Sequence, residues 1–396
     1  MFPRVLRLYL ASRFASAAAA TLLRAAVAWH VYALSQSAFH LGLIGLIQFL
    51  PVPTLMLVGG AVADTYERRR VMMAAQSVTL VCALGLGLAT AAGRASLPLL
   101  YAAVALASVA WSFDAPARAA LLPTLVPRAT FPRAVTLAST TQALAFATGP
   151  ALGGLVIAEL GIAAAYATMA LLVTVALAFL APLRLARPPA GTVSLRAIVE
   201  ALRFVRRREV VLGCMLLDML AVVFGGATAL LPIYATEILS VGPRGYGLLS
   251  ASLEAGALLA SLALVVLPPI RRAGRALLLA VAVYGLATIV FGLSRSFPLS
   301  VLAYMVVGMA DQVSVVMRQT AIQLATPDAL RGRVSAVNMI AIAASNQLGA
   351  VESGFVAAAT SPTFAVVSGG VGCLVVLAIV AWRIPELWHY RHATAQ

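Results

Sequence analysis

Twelve stretches of this chain run for about 20 residues or more with few charges, the length an α-helix needs to cross the hydrocarbon of a bilayer. They lie near 8–34, 39–63, 71–92, 96–122, 131–159 and 161–184, then near 210–235, 245–268, 275–294, 298–325, 333–358 and 362–383. Hydrophobic residues make up 62% of the chain and charged ones 10%, against about 25% in ordinary globular domains. No soluble interior could hide so much apolar surface. In hydrocarbon every backbone polar group must be bonded internally, so the runs are expected to be helices and the chain an all-α integral membrane protein. Arg4 and Arg7 ahead of an Ala-rich run imitate a secretion leader, but Arg13 and Arg24 interrupt that run and eleven more follow, so it reads as an uncleaved first span. Cys82, Cys214 and Cys373 sit singly inside apolar runs, a pattern that supports neither a disulfide framework nor a metal site; no metal or cofactor is expected.

The net charge of +15 would ordinarily suggest nucleic acid as a partner. All 28 basic residues are arginines, however, and they gather between the apolar runs without interleaved stacking aromatics, so the expected partner is the bilayer. With the amino terminus in the cytoplasm, the inner segments hold Arg4, Arg7, Arg68 to Arg70, Arg128, Arg133, Arg184, Arg187, Arg196, Arg203, Arg206 to Arg208, Arg271, Arg272, Arg275, Arg331, Arg333, Arg383 and Arg391. The outer loops hold only Arg94, Arg244 and Arg295. That bias places both termini in the cytoplasm and the protein in the inner (plasma) membrane. Residues 1–184 and 210–396 would each supply six spans. The segment 185–209 joins them: it opens with Pro188-Pro189-Ala190-Gly191 and continues with Arg203, Arg206 and Arg207 at helical spacing, reading either as a helix on the anionic inner leaflet or as a solvated loop.

A shift of 200 residues superposes Arg118 on Arg318, Pro127 on Pro327, Arg133 on Arg333, Gly149 on Gly349 and Gly154 on Gly354 without a gap. Duplicated six-helix halves related by an axis along the membrane normal are a transporter architecture, with the substrate near the midplane. The charges within the spans agree. Arg24 lies in the first, Asp114 and Arg118 in the fourth, Asp218 in the seventh, Glu254 in the eighth, Asp311 and Arg318 in the tenth, and Glu352 in the eleventh. The third, sixth, ninth and twelfth carry none inside their apolar runs, with arginines only at their ends, as expected of helices that face lipid.

After the second run comes Gly60-Ala-Val-Ala-Asp64-Thr-Tyr-Glu67-Arg68-Arg69. It resembles the Gly-x-x-x-Asp-x-x-Gly-Arg-Arg loop of the major facilitator superfamily. A small residue there would allow close packing, Asp64 would accept hydrogen bonds at a helix end, and the arginines would bridge segments. Glu67 replaces the second glycine, which puts the tight turn in question. Gly149-Pro150-Ala151-Leu152-Gly153-Gly154 resembles an element of the superfamily's antiporters, and the run from Pro327 through Arg331, Gly332 and Arg333 resembles its Arg-Gly-Arg segment before the eleventh helix. With Val27-Ala28-Trp29-His30-Val31-Tyr32, Leu41-Gly42-Leu43-Ile44-Gly45 and Ala115-Pro116-Ala117-Arg118, the chain is similar to the enterobactin-exporter-like branch of that superfamily.

The resemblance implies a secondary transporter that exports a small amphipathic molecule, drug-like or siderophore-like, by alternating access against inward proton flow. The expected partners are that substrate and protons, acting on a monomer. The competing readings are a proton-coupled importer, a lipid or lysolipid flippase, and a non-transporting receptor or scaffold. No Ser-His-Asp set, ATP-binding loop or carboxylate dyad is present, so the chain is not expected to be an enzyme and its catalytic residues are none. Coupling requires a carboxylate that changes protonation between states. Asp311, roughly 20 Å into its helix at 1.5 Å per residue, is the first candidate, followed by Asp218 and Glu254. Asp114, four residues before Arg118, reads as a held ion pair. Arg24, Trp29, His30, Gln48, Asp114, Arg118, Gln142, Arg318 and Asn338 are the candidate substrate-cavity residues, with interfacial or helix-packing roles as their alternatives. Gly60, Asp64, Arg68, Arg69, Gly149, Pro150, Gly153, Gly154, Arg331 and Arg333 are the candidate conformational set.

Overall fold

The computed structural model describes residues 4–127, 130–183, 195–267, 270 and 272–389. Of the residues in the sequence argument, Arg128, Arg184, Arg187, Pro188 to Gly191, Arg271 and Arg391 lie outside them. Described residues form twelve helical segments long and apolar enough to cross a membrane.

The first span is α1 (Arg4–Ser35). The second comprises α2 (Ala38–Phe49) and α3 (Val52–Thr65). The next four are α4 (Arg68–Ala91), α5 (Leu97–Leu121), α6 (Phe131–Leu160) and α7 (Ile162–Leu180). The connecting segment contains α8 (Leu195–Arg207). The seventh span begins with α9 (Glu209–Gly225) and continues through a 3-10 turn (Ala227–Leu230), α10 (Leu231–Ile233) and a π turn (Tyr234–Ile238). There follow α11 (Gly242–Val266), α12 (Ala273–Leu293), α13 (Phe297–Ala325), α14 (Asp328–Ala359), α15 (Pro362–Arg383) and the short α16 (Pro385–His389).

Two spans expected to be continuous are broken. Leu50 and Pro51 separate α2 from α3, because Pro51 cannot donate to a helical hydrogen bond and its ring clashes with the preceding turn. Gly225 and Gly226 end α9, and the chain resumes only after a short irregular passage before Pro232. Between α6 and α7 a single residue reverses direction. Gly161 does so at φ +86°, where a side chain would be strained.

The chain packs as two units. The first comprises Met1–His40, Ile47–Val193 and Ser240–Ala251; the second comprises Leu41–Leu46, Ser194–Leu239 and Ser252–Gln396. In the first, α1 lies against α6 and α7, α4 against α5 and α7, α3 against α5, and α6 against α7. In the second, α9 lies against α14 and α15, α12 against α13 and α15, and α14 against α15. Gly256 of α11 meets the Met305 backbone of α13. Counted by span, the second set of pairs repeats the first with six added to each number. The duplication read from the sequence is thus present as repeated packing.

Both units have close-packed cores despite the lipid surroundings. One gathers Leu6, Tyr9, Met72, Leu121 and Leu180; the other gathers Val211, Leu217, Leu277, Val281, Met317 and Val380. The third, sixth, ninth and twelfth spans expose apolar stripes: Val78, Val81, Leu84 and Leu88; Leu171 and Phe179; Leu279, Val283, Leu286, Val290 and Leu293; Val371, Val375 and Ile379. Large apolar side chains facing outward at helical spacing are stable only in lipid.

Candidate functional site

The first unit holds two arginine networks at membrane depth. Arg118 donates from Nε to Asp114 Oδ2 at 3.0 Å and from Nη2 to Oδ1 at 3.1 Å, one turn apart on α5. Gln76 of α4 donates to the same carboxylate at 3.4 Å, and the Tyr9 hydroxyl of α1 donates to the Arg118 carbonyl at 3.4 Å. Arg13 ties α1 to α6: it donates to the Ala138 carbonyl at 3.1 Å, to the Tyr9 hydroxyl at 3.1 Å and to the Gln142 side-chain oxygen. Arg13 entered the sequence argument only as an interruption of the first apolar run, yet it organises this network. A bidentate pair one turn apart and a fully bonded guanidinium are rigid features.

Arg24 behaves differently. It is exposed, three turns further along α1, with its guanidinium 5.7 Å from the ring centre of Phe146 on α6. Trp29 stacks at 5.4 Å on Tyr246, whose hydroxyl donates to the Ala25 carbonyl. His30 is buried, its Nδ1 3.0 Å from the Tyr166 hydroxyl, a contact that ties α1 to α7. Its structural partner therefore accounts for His30, and Trp29 with Arg24 remain on the more open side. Gln48 is half-buried on α2.

The second unit pairs its equivalent arginine another way. Arg318 on α13, 1% exposed, forms an ion pair with Asp218 on α9, 8% exposed. The pair is enclosed by Cys214, Leu217, Met317 and Ala321. Asp218, read as a coupling candidate, is thus the counter-ion of a buried cation. Asp311 lies two turns before Arg318 on the same helix, half-buried, and makes no ion pair or hydrogen bond among the described residues. Glu254 is half-buried on α11, and Asn338 is buried on α14.

The break in the seventh span is met by side chains from three neighbouring helices. Tyr284 donates to the Gly225 carbonyl at 3.1 Å, Ser353 to the Gly226 carbonyl at 2.6 Å, and the Thr228 and Tyr304 hydroxyls stand 2.8 Å apart. Hydroxyls from α12 and α14 therefore satisfy backbone carbonyls at the break, as irregular backbone at membrane depth requires, while the α13 hydroxyl bonds a side chain of the 3-10 turn. None of these residues was singled out from the sequence. The available signal was the Gly225-Gly226 pair inside an apolar run, followed by Pro232.

The loop after the second span is built by its arginines. Arg68 donates to the Ala120 carbonyl at 2.9 Å and Arg69 to the Ala181 carbonyl at 2.8 Å, at the carboxyl ends of α5 and α7. Two helix ends thereby gain cations where their carbonyls lack partners. Glu67 pairs with Arg69 at 2.9 Å and Arg70 at 2.8 Å. It has φ −60°, so the two-residue turn between α3 and α4 needs no glycine and its replacement of the motif's glycine costs nothing. Asp64 makes no hydrogen bond or ion pair among the described residues, in contrast to the helix-end acceptor expected there. A Cβ at Gly60 would meet nothing within 4 Å, so the close approach expected at Gly60 falls instead on Gly59, which abuts the Ser112 carbonyl of α5.

Along the Gly-Pro element of α6, Gly149 lies against Ala18 and Thr21 of α1, while a Cβ at Gly154 would stand 2.5 Å from the Gly247 Cα of α11. A Cβ at Gly153 would meet Leu22 at 3.4 Å and Ala25 at 3.9 Å, both ordinary van der Waals distances. Tight contact thus occurs at 149 and 154, not at 153. Pro150 lies within the helix between them. Arg331 donates to the Gln323 carbonyl at 3.3 Å and Arg333 to Glu200 of α8 at 2.6 Å.

Comparison with known proteins fits this architecture. The family model described as transmembrane secretion effector, one of the major facilitator models, matches residues 4–393. The chain belongs to that family. It is therefore a major facilitator transporter, not an enzyme, and a multi-pass protein of the inner membrane. Enterobactin exporter EntS of Escherichia coli K12 is 26% identical over 387 residues, spanning 97% of this chain and 93% of that one. The Shigella dysenteriae exporter of the same name is 26% identical over 391 residues with the same coverage. Among solved structures, a POT family transporter in complex with 5-aminolevulinic acid matches with TM-score 0.77 at 13% identity over 97% of each chain. A bacterial homologue of the human lysosomal transporter Spinster, in an inward-facing unoccupied conformation, matches with TM-score 0.74 at 14% identity over the full length of both. At those identities the two structures speak for the shared fold alone.

Proposed function

We propose that this transmembrane secretion effector is a proton-coupled exporter of a small amphipathic molecule, and that its six-helix halves, 1–184 and 210–396 joined by 185–209, alternate access to the cargo. The observation that carries the reading is the match along nearly the whole chain to relatives named as enterobactin exporters, together with the family's secretion description. The cargo belongs to the siderophore-like or drug-like class, the chain works as a monomer, and both termini lie in the cytoplasm.

The coupling role falls on Asp311. Asp114 and Asp218 are each committed to a guanidinium, whereas Asp311 is half-buried without such a partner. Glu254 stands second, and Asp218 moves to a positioning role for Arg318. Arg24, with Phe146 beside it and Trp29 one turn on, supplies the cargo-facing cation and aromatic surface of the first half.

The test is transport in proteoliposomes carrying a pH-sensitive dye. With a siderophore-like or dye substrate, the parent protein should acidify the compartment that substrate departs from, and Asp311→Asn should abolish proton movement while retaining downhill substrate exchange. Parent-like proton movement in Asp311→Asn would remove Asp311 from the mechanism. Absence of substrate-driven proton movement in the parent, with exchange intact, would overturn the antiport reading itself.

A further inference from the structure

We infer that the linker helix α8, just before the seventh span, carries a binding site for the phosphate-bearing headgroup of an anionic phospholipid. Arg203, Arg206 and Arg207 lie three and four residues apart, so their guanidinium groups emerge on one face of α8, and with Leu202 they line a cleft of about 590 Å³. All four side chains are exposed. Small-molecule clefts typically measure roughly 300–1,000 Å³, so a glycerophosphate headgroup fits.

The helix is fixed rather than free. Val205 is buried in the core of the second unit, Phe204 packs against that core, and Glu200 pairs with Arg333 on α14. The one acid on the inner turn of α8 is therefore already neutralised, leaving the three arginines to face outward. Glu209, exposed at the first turn of α9, is the nearby carboxylate, and Arg208 lies between it and the cleft with its guanidinium 6.0 Å from the Phe204 ring.

The position of the cleft singles out lipid over a soluble anion. Only Arg208 separates α8 from Glu209, where the seventh span begins. Four residues into that span, a Cβ at Gly213 would stand 2.9 Å from Ile384, which immediately follows the twelfth span. That level carries an interfacial belt: exposed Trp382 stacked with Arg383 at 5.1 Å, and Trp388 with Arg275 at 5.3 Å. Tryptophan and arginine together mark the headgroup layer. A phosphate there meets three guanidinium groups, and the exposed Leu202 lies beside it for the start of an acyl chain.

The inference stands apart from transport and is tested on the intact purified protein. Native mass spectrometry would follow titration with phosphatidylglycerol or phosphatidylcholine. The parent should retain phosphatidylglycerol in preference to phosphatidylcholine, and Arg203→Gln with Arg207→Gln should weaken that retention roughly fivefold for each arginine. Arg203→Lys with Arg207→Lys should recover most of it, which guards against misfolding as the cause. Removing two charges elsewhere, at Arg94 and Arg295, should leave retention unchanged. Equal losses from both double Gln variants would reduce the effect to net charge and overturn the site. Displacement of the lipid by millimolar inorganic phosphate would also overturn it, because the cleft would then be an anion site indifferent to the membrane.

Discussion

At the scale of single residues, two equivalent arginines are neutralised in different ways. Arg118 takes its acid from its own helix, whereas Arg318 takes it from α9, and the 200-residue shift that superposes the arginines places Ser314 opposite Asp114 and Ala18 opposite Asp218. Because Arg318 is enclosed, removing its partner leaves a charge that the interior cannot solvate. Asp218→Asn should therefore destabilise the protein by about 3–5 kcal/mol, and Asp114→Asn by less, since that pair is more open. Thermal unfolding of the detergent-purified variants reads both; equal and small shifts would refute the ranking. The i, i+4 pair was legible in the sequence because a helix fixes the neighbours of every fourth residue. The Asp218–Arg318 pair was not legible in that way, since a contact between residues 100 apart depends on helix packing, which the sequence does not display.

At the scale of elements, apolar length identified all twelve spans and erred where backbone chemistry intervenes within an apolar run. Pro51 and the Gly225-Gly226 pair break spans without lowering their hydrophobicity, so a reading based on length passes over them. Glycine roles were legible as a group but not individually, because the need for a missing Cβ is set by the neighbouring helix. Gly154→Val should therefore impair folding or transport severely, as the new side chain meets the α11 backbone, and Gly149→Val should do the same against α1. Gly153→Ala and Gly60→Ala should leave expression and thermal stability near the parent's, within about 0.5 kcal/mol. Loss of folded protein in Gly60→Ala would show that the open space beside it is filled.

At the scale of the whole molecule, the arginine bias predicts which loops face which side. Cysteines placed at Ser37 and Ser361 in a chain freed of Cys82, Cys214 and Cys373 should react with a membrane-impermeant maleimide in intact cells, and one at Ser194 should not. Labelling at 194 alone would invert the topology. Asp64 stands on the same face as the arginines that cap α5 and α7, away from the spans' interior. Asp64→Asn should slow transport several-fold while leaving equilibrium cargo binding within about twofold, as expected of a residue that shifts the balance of states. The repeated packing also bears on ancestry. Two copies of one half would each have carried the same counter-ion arrangement, yet here the acid has moved to a different helix in each. Grafting α5 in place of α13 would bring Asp114 along and strand Asp218 as a surplus buried acid, and the reverse graft would carry Arg318 into the first half without its Asp218. The halves have kept a common architecture while losing the interchangeability of their parts.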